Sequence, residues 1–226
     1  MQKIFNADIL DLIVTDNGFI YSCEETNEDG NKIALFYEYS EDNDVFTKIP
    51  VVEYITAKYG KHGRRIAKSL GDFITCRVIN LENDVCLASY RNGLNRYFDS
   101  YGAAEDSFKI EYLGNPACSP APGGKNLWYA VPDSNTVICY SLKYERIEVR
   151  MGSPDEKAFF HPTDIKMYDN MLYVCNKNSY KIKTIDIKTF DVQDYCIFSE
   201  PVSGYFRTDI GEYVILNSGV YSLKDE

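Results

Sequence analysis

Hydrophobic and polar positions alternate in short bursts along this chain, and the bursts recur at a nearly constant interval. A hydrophobic strand opens at Val85, Leu127, Met171 and Tyr213, giving steps of 42, 44 and 42 residues. Each opening follows a polar or glycine turn: Glu82-Asn83-Asp84, Lys125-Asn126, Asp169-Asn170 and Gly211-Glu212. A fifth copy, Asp16-Asn17-Gly18 followed by Phe19, lies 66 residues before Val85. Short apolar runs bounded by turn residues read as strands. Strands repeating with a period in the low forties predict the four-stranded blades of a β-propeller.

Read as blades, the fourth copy is the clearest. Its strands are expected at Thr163 to Met167, Leu172 to Cys175, Ile182 to Ile187 and Asp191 to Ile197. The third places strands at Trp128 to Val131, Val137 to Leu142 and Ile147 to Met151. Its inner strand, Ser119-Pro120-Ala121-Pro122-Gly123-Gly124, is rich in proline and glycine, which suggests an irregular channel wall. The second blade spans Phe73 to Tyr112, and the first runs from Ile9 to Ile49. The fifth supplies only three strands, at Tyr205 to Thr208, Tyr213 to Leu216 and Val220 to Leu223, before Lys224-Asp225-Glu226. Lys3-Ile4-Phe5-Asn6 has no partner of its own, so it is expected to complete that blade and remove its open edge. The expectation is an all-β, single-domain, five-bladed β-propeller over residues 1–226, closed by its N-terminal strand.

The segment His161-Pro162-Thr163-Asp164-Ile165, through Asp169-Asn170-Met171-Leu172-Tyr173-Val174-Cys175-Asn176 to Lys181-Ile182-Lys183-Thr184-Ile185-Asp186, resembles an NHL-type or YVTN-type propeller blade. In that family a proline opens the inner strand and a hydrophobic second strand ends in an Asp or Asn turn. The resemblance implies the fold and carries no catalytic residue.

The long first step contains an insertion at 51–71, between the first and second blades. Lys58, Lys61, Arg64, Arg65 and Lys68 oppose Glu53 alone, a net +4 in a chain whose formal charge is −10. Such a segment could cap the channel mouth and offer Arg64 and Arg65 to an anion. Alternatively, Ile55, Tyr59, Ile66 and Leu70 could pin a short helix or hairpin to the scaffold, leaving the cations solvated.

The overall acidity argues against general nucleic-acid or anionic-membrane affinity. The start of the chain lacks a signal-peptide pattern and no apolar run is long enough to span a bilayer, so a cytoplasmic protein is expected. Seven cysteines show no zinc-like spacing. Cys23 and Cys175 share one repeat slot with Ser89, Val131 and Asn217, and are expected to act as small packing residues.

Carrying the repeat onto the inner strands gives a ring of polar candidates: Asp11, Arg77, Ser119, Thr163 and Tyr205, with His161 at a strand entry. A one-residue slip would turn each to the opposite face. Asp11 could be one of the two carboxylates a glycosidase needs, but Asp164 alternates with Thr163 and is expected to point away. No metal and no cofactor is expected. The favoured function is a non-catalytic binding module that takes a small acidic ligand or an acidic peptide at the channel mouth. The alternatives are a glycosidase-like hydrolase or a cyclase at the same mouth, and a structural assembly partner.

Overall fold

The structure, a computed structural model, describes residues 1–6, 9–81, 85–99, 101–102, 104–155, 158–209 and 211–223. The chain opens with strand β1 (Gln2–Phe5). Blade 1 then pairs β2 (Ile9–Thr15), β3 (Gly18–Thr26), β4 (Lys32–Ser40) and β5 (Val45–Lys48) in order. Two helices follow, α1 (Val51–Tyr59) and α2 (Gly63–Leu70). Blade 2 is β6 (Arg77–Asn80), β7 (Val85–Ser89), β8 (Leu94–Asp99) and β9 (Ala104–Lys109). A small hairpin, β10 (Glu111–Tyr112) with β11 (Asn115–Pro116), separates it from the third blade. Blade 3 is β12 (Cys118–Gly123), β13 (Asn126–Val131), β14 (Thr136–Ser141) and β15 (Arg146–Met151). Blade 4 is β16 (Pro162–Tyr168), β17 (Met171–Asn176), β18 (Lys181–Asp186) and β19 (Val192–Ile197). The last sheet runs β20 (Val202–Arg207), β21 (Glu212–Leu216), β22 (Gly219–Ser222) and then β1. The architecture is a five-bladed β-propeller.

Position within a blade dictates each strand's pattern. The second strands lie between neighbouring blades and are buried on both faces, so β13 reads Leu127-Trp128-Tyr129-Ala130-Val131 without interruption, each at most 3% exposed. The outermost strand β15 meets solvent on one side, and Arg146 to Met151 alternate exposed and half-buried. The repeat slot holding Cys23 and Cys175 is buried at both cysteines.

Closure takes place where the fifth repeat runs out of chain. Gln2 pairs with Ser222, Lys3 with Tyr221 and Phe5 with Val220. Gly219, at φ +136°, allows this approach: a Cβ there would sit 2.1 Å from the Phe5 carbonyl oxygen. Phe5 then stacks on Tyr21 of blade 1 at 4.5 Å between centroids, while Phe206 of blade 5 meets Phe19 edge-on at 5.3 Å. Aromatic packing thus seals the seam between the last blade and the first.

Blades 2 and 3, 3 and 4, and 4 and 5 also meet through shared apolar clusters. The 51–71 segment fills the interval between blades 1 and 2. Tyr54, Ile55 and Ala67 pack with Ile20 and Phe36 of blade 1, and Ile66 and Leu70 pack with Ala88 and Phe98 of blade 2. Tyr59 touches both clusters. The insertion is a helical wedge, and Arg64 and Arg65 lie on its exposed side.

Two details depart from the expected pattern. The β10–β11 hairpin was not anticipated; its two-residue turn places Leu113 and Gly114 at positive φ, a geometry that Gly114 alone announces in sequence. The irregularity expected in the inner strand of blade 3 is limited: from Ala121 to Gly123 it pairs regularly with Trp128 to Asn126. Its irregularity is confined to Ser119 and Pro120, with Ser119 at φ 52°. The predicted turn Glu82-Asn83-Asp84 and the tail Lys224-Asp225-Glu226 lie outside the described residues. Among the described residues, no helix is long and apolar enough to cross a membrane.

Candidate functional site

The five inner strands surround an axial channel with two connected cavities. The upper one, about 850 Å³, is lined by the entries of the inner strands and by the loops joining second to third strands. The lower one, about 440 Å³, lies further along the same strands. Asp11, Leu12, Arg77 and Lys166 border both, which places them at the junction.

Bulges decide which side chains reach this junction. In β16 the pairing slips between Pro162 and Asp164, leaving Thr163 as the extra residue. Alternation therefore restarts at Asp164. Asp164 and Lys166 take the face opposite Ile165 and Met167, which pack into the core between blades 3 and 4. Asp164 does not point away from the channel, contrary to the simple alternation from Thr163; it lines the upper cavity and reaches across to blade 2. Similar slips occur at Leu10 in β2 and Ser203 in β20.

Arg77 ties three blades together. Its Nη2 donates to Asp164 Oδ1 at 2.6 Å, and its Nη1 donates to the Ile165 carbonyl at 2.9 Å and the Pro120 carbonyl at 3.4 Å. Asp11 is held from the wedge: the Tyr54 hydroxyl donates to its Oδ2 at 2.7 Å, and Lys58 Nζ donates to the same oxygen at 2.9 Å. Lys58 also donates to the Ile74 carbonyl at 2.5 Å. Its side chain is only 7% exposed. Burial first, then the charge of Asp11, pushes the Tyr54 hydroxyl far above the usual tyrosine pKa, so it stays a donor. The helical wedge thereby controls an acid in the channel although its arginines lie outside.

Lys166 differs from these cations. No hydrogen bond or ion pair to its ammonium is present among the described residues. The side chain is half-buried, and the part not covered faces the channel. Burial pushes its pKa below the usual lysine value, and the neighbouring Arg77 charge pushes in the same direction, against Asp164 and Asp11.

The remaining sequence candidates are distributed around the upper cavity. Ser119 Oγ donates to the Thr163 carbonyl at 2.9 Å, linking blades 3 and 4 at the rim. Thr163 lines the cavity at its bulge. His161, at φ 56°, is fixed by its own N–H donating to Asn135 Oδ1 at 2.8 Å, and its Nδ1 lies 3.7 Å from Asp133. Tyr205 only borders the space: its ring is 1% exposed and stacks on Tyr173 at 4.8 Å in the interface between blades 4 and 5. Arg64 and Arg65 line neither cavity. Sequence reasoning missed Lys58, Arg91, Lys166 and Lys177. Lys166 was within reach, two residues beyond Asp164 on one strand face, once the bulge is known.

Summed over both cavities, Lys58, Arg77, Arg91, Lys166 and Lys177 face Asp11, Asp133 and Asp164. The channel is cationic inside an acidic protein. Among the described residues, no group of three His, Cys, Asp or Glu side chains could hold a metal.

No protein-family model matches the chain, and no curated protein matches it. Solved structures do. A streptogramin B lyase aligns over 95% of this chain and 78% of its own, with TM-score 0.55 and 11% identity. A catalytically inactive virginiamycin B lyase from Staphylococcus aureus with quinupristin aligns over 95% and 79%, with TM-score 0.55 and 10% identity. Sqt1 of Saccharomyces cerevisiae aligns over 96% and 73%, with TM-score 0.52 and 12% identity. At such identities the likeness establishes the propeller fold, and a propeller hosts many activities.

Proposed function

We propose that the protein is a binding module whose axial channel takes a small anionic ligand, a carboxylate or a phosphate. The observation that carries this reading is the ammonium of Lys166 at the junction of the two cavities, which has no hydrogen-bond or ion-pair partner among the described residues. Asp11 and Asp164 are each already bonded to a cation of the protein, whereas Lys166 is left to a guest. Arg91 and Lys177 at the upper rim would draw an anion inward. Glycoside cleavage would need an acid at the channel junction as a proton donor, and Asp11 and Asp164 are both acceptors in the ion pairs just described.

Calorimetric titration with phosphate, lactate and a neutral sugar tests the reading. The anions should bind and the sugar should not. Lys166→Met should lower anion affinity by about 10- to 100-fold, the worth of one charge-assisted hydrogen bond of ~1.5–3 kcal/mol. Arg64→Glu and Arg65→Glu should have little effect. A larger loss from the arginine variants than from Lys166→Met would place the ligand on the helices instead.

A further inference from the structure

A lysine ammonium that only neutralises an anion has no need to be withdrawn from bulk water where two cavities of a channel meet. Lys166 is so withdrawn, its accessible part faces a cavity on either side, and Arg77, which borders the same junction, is committed to Asp164 and two carbonyls. Desolvation beside a second cation is the arrangement that turns lysine into a nucleophile towards carbonyl carbon, because both effects favour the neutral amine. The direction of the Lys166 shift, driven first by burial and then by Arg77, agrees with that geometry.

We infer that Lys166 Nζ captures the carbonyl group of a small oxo acid as a Schiff base, with the ligand's carboxylate facing the channel cations. The inference rests on the reading of the channel as an anion site and adds the second functional group of the ligand. In the step, the neutral amine's lone pair attacks the carbonyl carbon and forms an N–C bond. The carbonyl oxygen takes up a proton, then a second, and leaves as water; the two protons balance those lost from nitrogen. The product is an imine, with no net oxidation or reduction. The upper cavity has room for a ligand of several carbon atoms above the junction, and the Arg77–Asp164 pair bounds it on one side.

Intact-mass and peptide mass spectrometry after incubation with pyruvate and cyanoborohydride tests this directly. The expected result is a single reduced adduct per chain, mapped to Lys166, that saturates with pyruvate and is suppressed by excess lactate, which has the acid but not the carbonyl. Lys166→Arg should lose the adduct, while lactate binding by the wild-type protein, read by calorimetry, reports the anion site separately. Lactate binding without a Lys166 adduct would overturn the carbonyl inference and leave the anion reading standing. No binding of lactate or pyruvate would sink the anion reading itself. Adducts scattered over exposed lysines, unaffected by lactate, would also overturn the assignment.

Discussion

Replacing Asp164 by asparagine should weaken the fold and strengthen the site, and the two effects can be worked out from one ion pair. Asp164 Oδ1 lies 2.6 Å from Arg77 Nη2, with side chains 10% and 24% exposed respectively. Breaking a fully buried pair by removing one partner costs ~3–5 kcal/mol, because the other charge is stranded. Arg77 keeps its two carbonyl acceptors and some access to channel water, and asparagine keeps an acceptor oxygen. The expected cost is therefore nearer the ~1.5–3 kcal/mol of one charge-assisted hydrogen bond. Equilibrium urea unfolding of wild type, Asp164→Asn, Arg77→Met and the double variant gives the coupling, expected at about 2 kcal/mol. The same substitution removes one of the acids facing the ligand. At roughly 8 Å and an effective dielectric of about 20, one charge is worth about 2 kcal/mol, so anion affinity should rise by about tenfold or more. Additive unfolding costs, or weaker anion binding by a folded Asp164→Asn protein, would refute the reasoning.

Phe5→Ala removes a half-buried ring that stacks on Tyr21 and meets Phe46 edge-on at 5.1 Å, so a loss of about 2–3 kcal/mol is expected by chemical denaturation; an unchanged midpoint would mean that β1 does not seal the last blade. Gly63→Val should cost about 1–3 kcal/mol, since any Cβ there would lie 2.6 Å from the Ile55 carbonyl oxygen where α1 crosses α2, and the melting temperature reports it. Burial, with Asp44 bonded to Tyr39 and Glu212 bonded to Tyr195, raises both hydroxyls from the usual 10.0 to about 12. The unfolded chain releases these protons first, so their contribution to stability is whole below pH 10 and is lost as pH rises towards 12. Melting temperature should fall across that window, and a flat profile there would contradict the assignment.

The repeat made the architecture legible because each blade reuses one pattern: a turn, then a strand buried on both faces. Even the closure could be read, since three strands at one end and one orphan at the other leave a single economical pairing. The site was only half legible. Asp11, Arg77, Ser119, Thr163 and His161 do line the upper cavity, but Tyr205 turns into the interface between blades 4 and 5. The reason is local. Inner strands carry bulges at Leu10, Thr163 and Ser203, each resetting alternation by one residue. Pro162 and Gly204 flank two of them, but Leu10 has no glycine or proline beside it, and neither residue fixes where the register slips. For the same reason Lys166 escaped notice while Asp164 was turned the wrong way. The insertion's hydrophobic positions announced a packed segment, yet nothing in its sequence says that Tyr54 and Lys58 reach Asp11 some forty residues earlier.

Anomalous diffraction from crystals soaked in selenate, a phosphate-like anion that scatters strongly, would locate the ligand site without any assumption about its identity. One dominant peak is expected in the channel, within hydrogen-bond distance of Lys166 Nζ, and it should disappear in Lys166→Met crystals. Peaks confined to the outer surface, at Arg64, Arg65 or other exposed cations, with the channel empty, would contradict it.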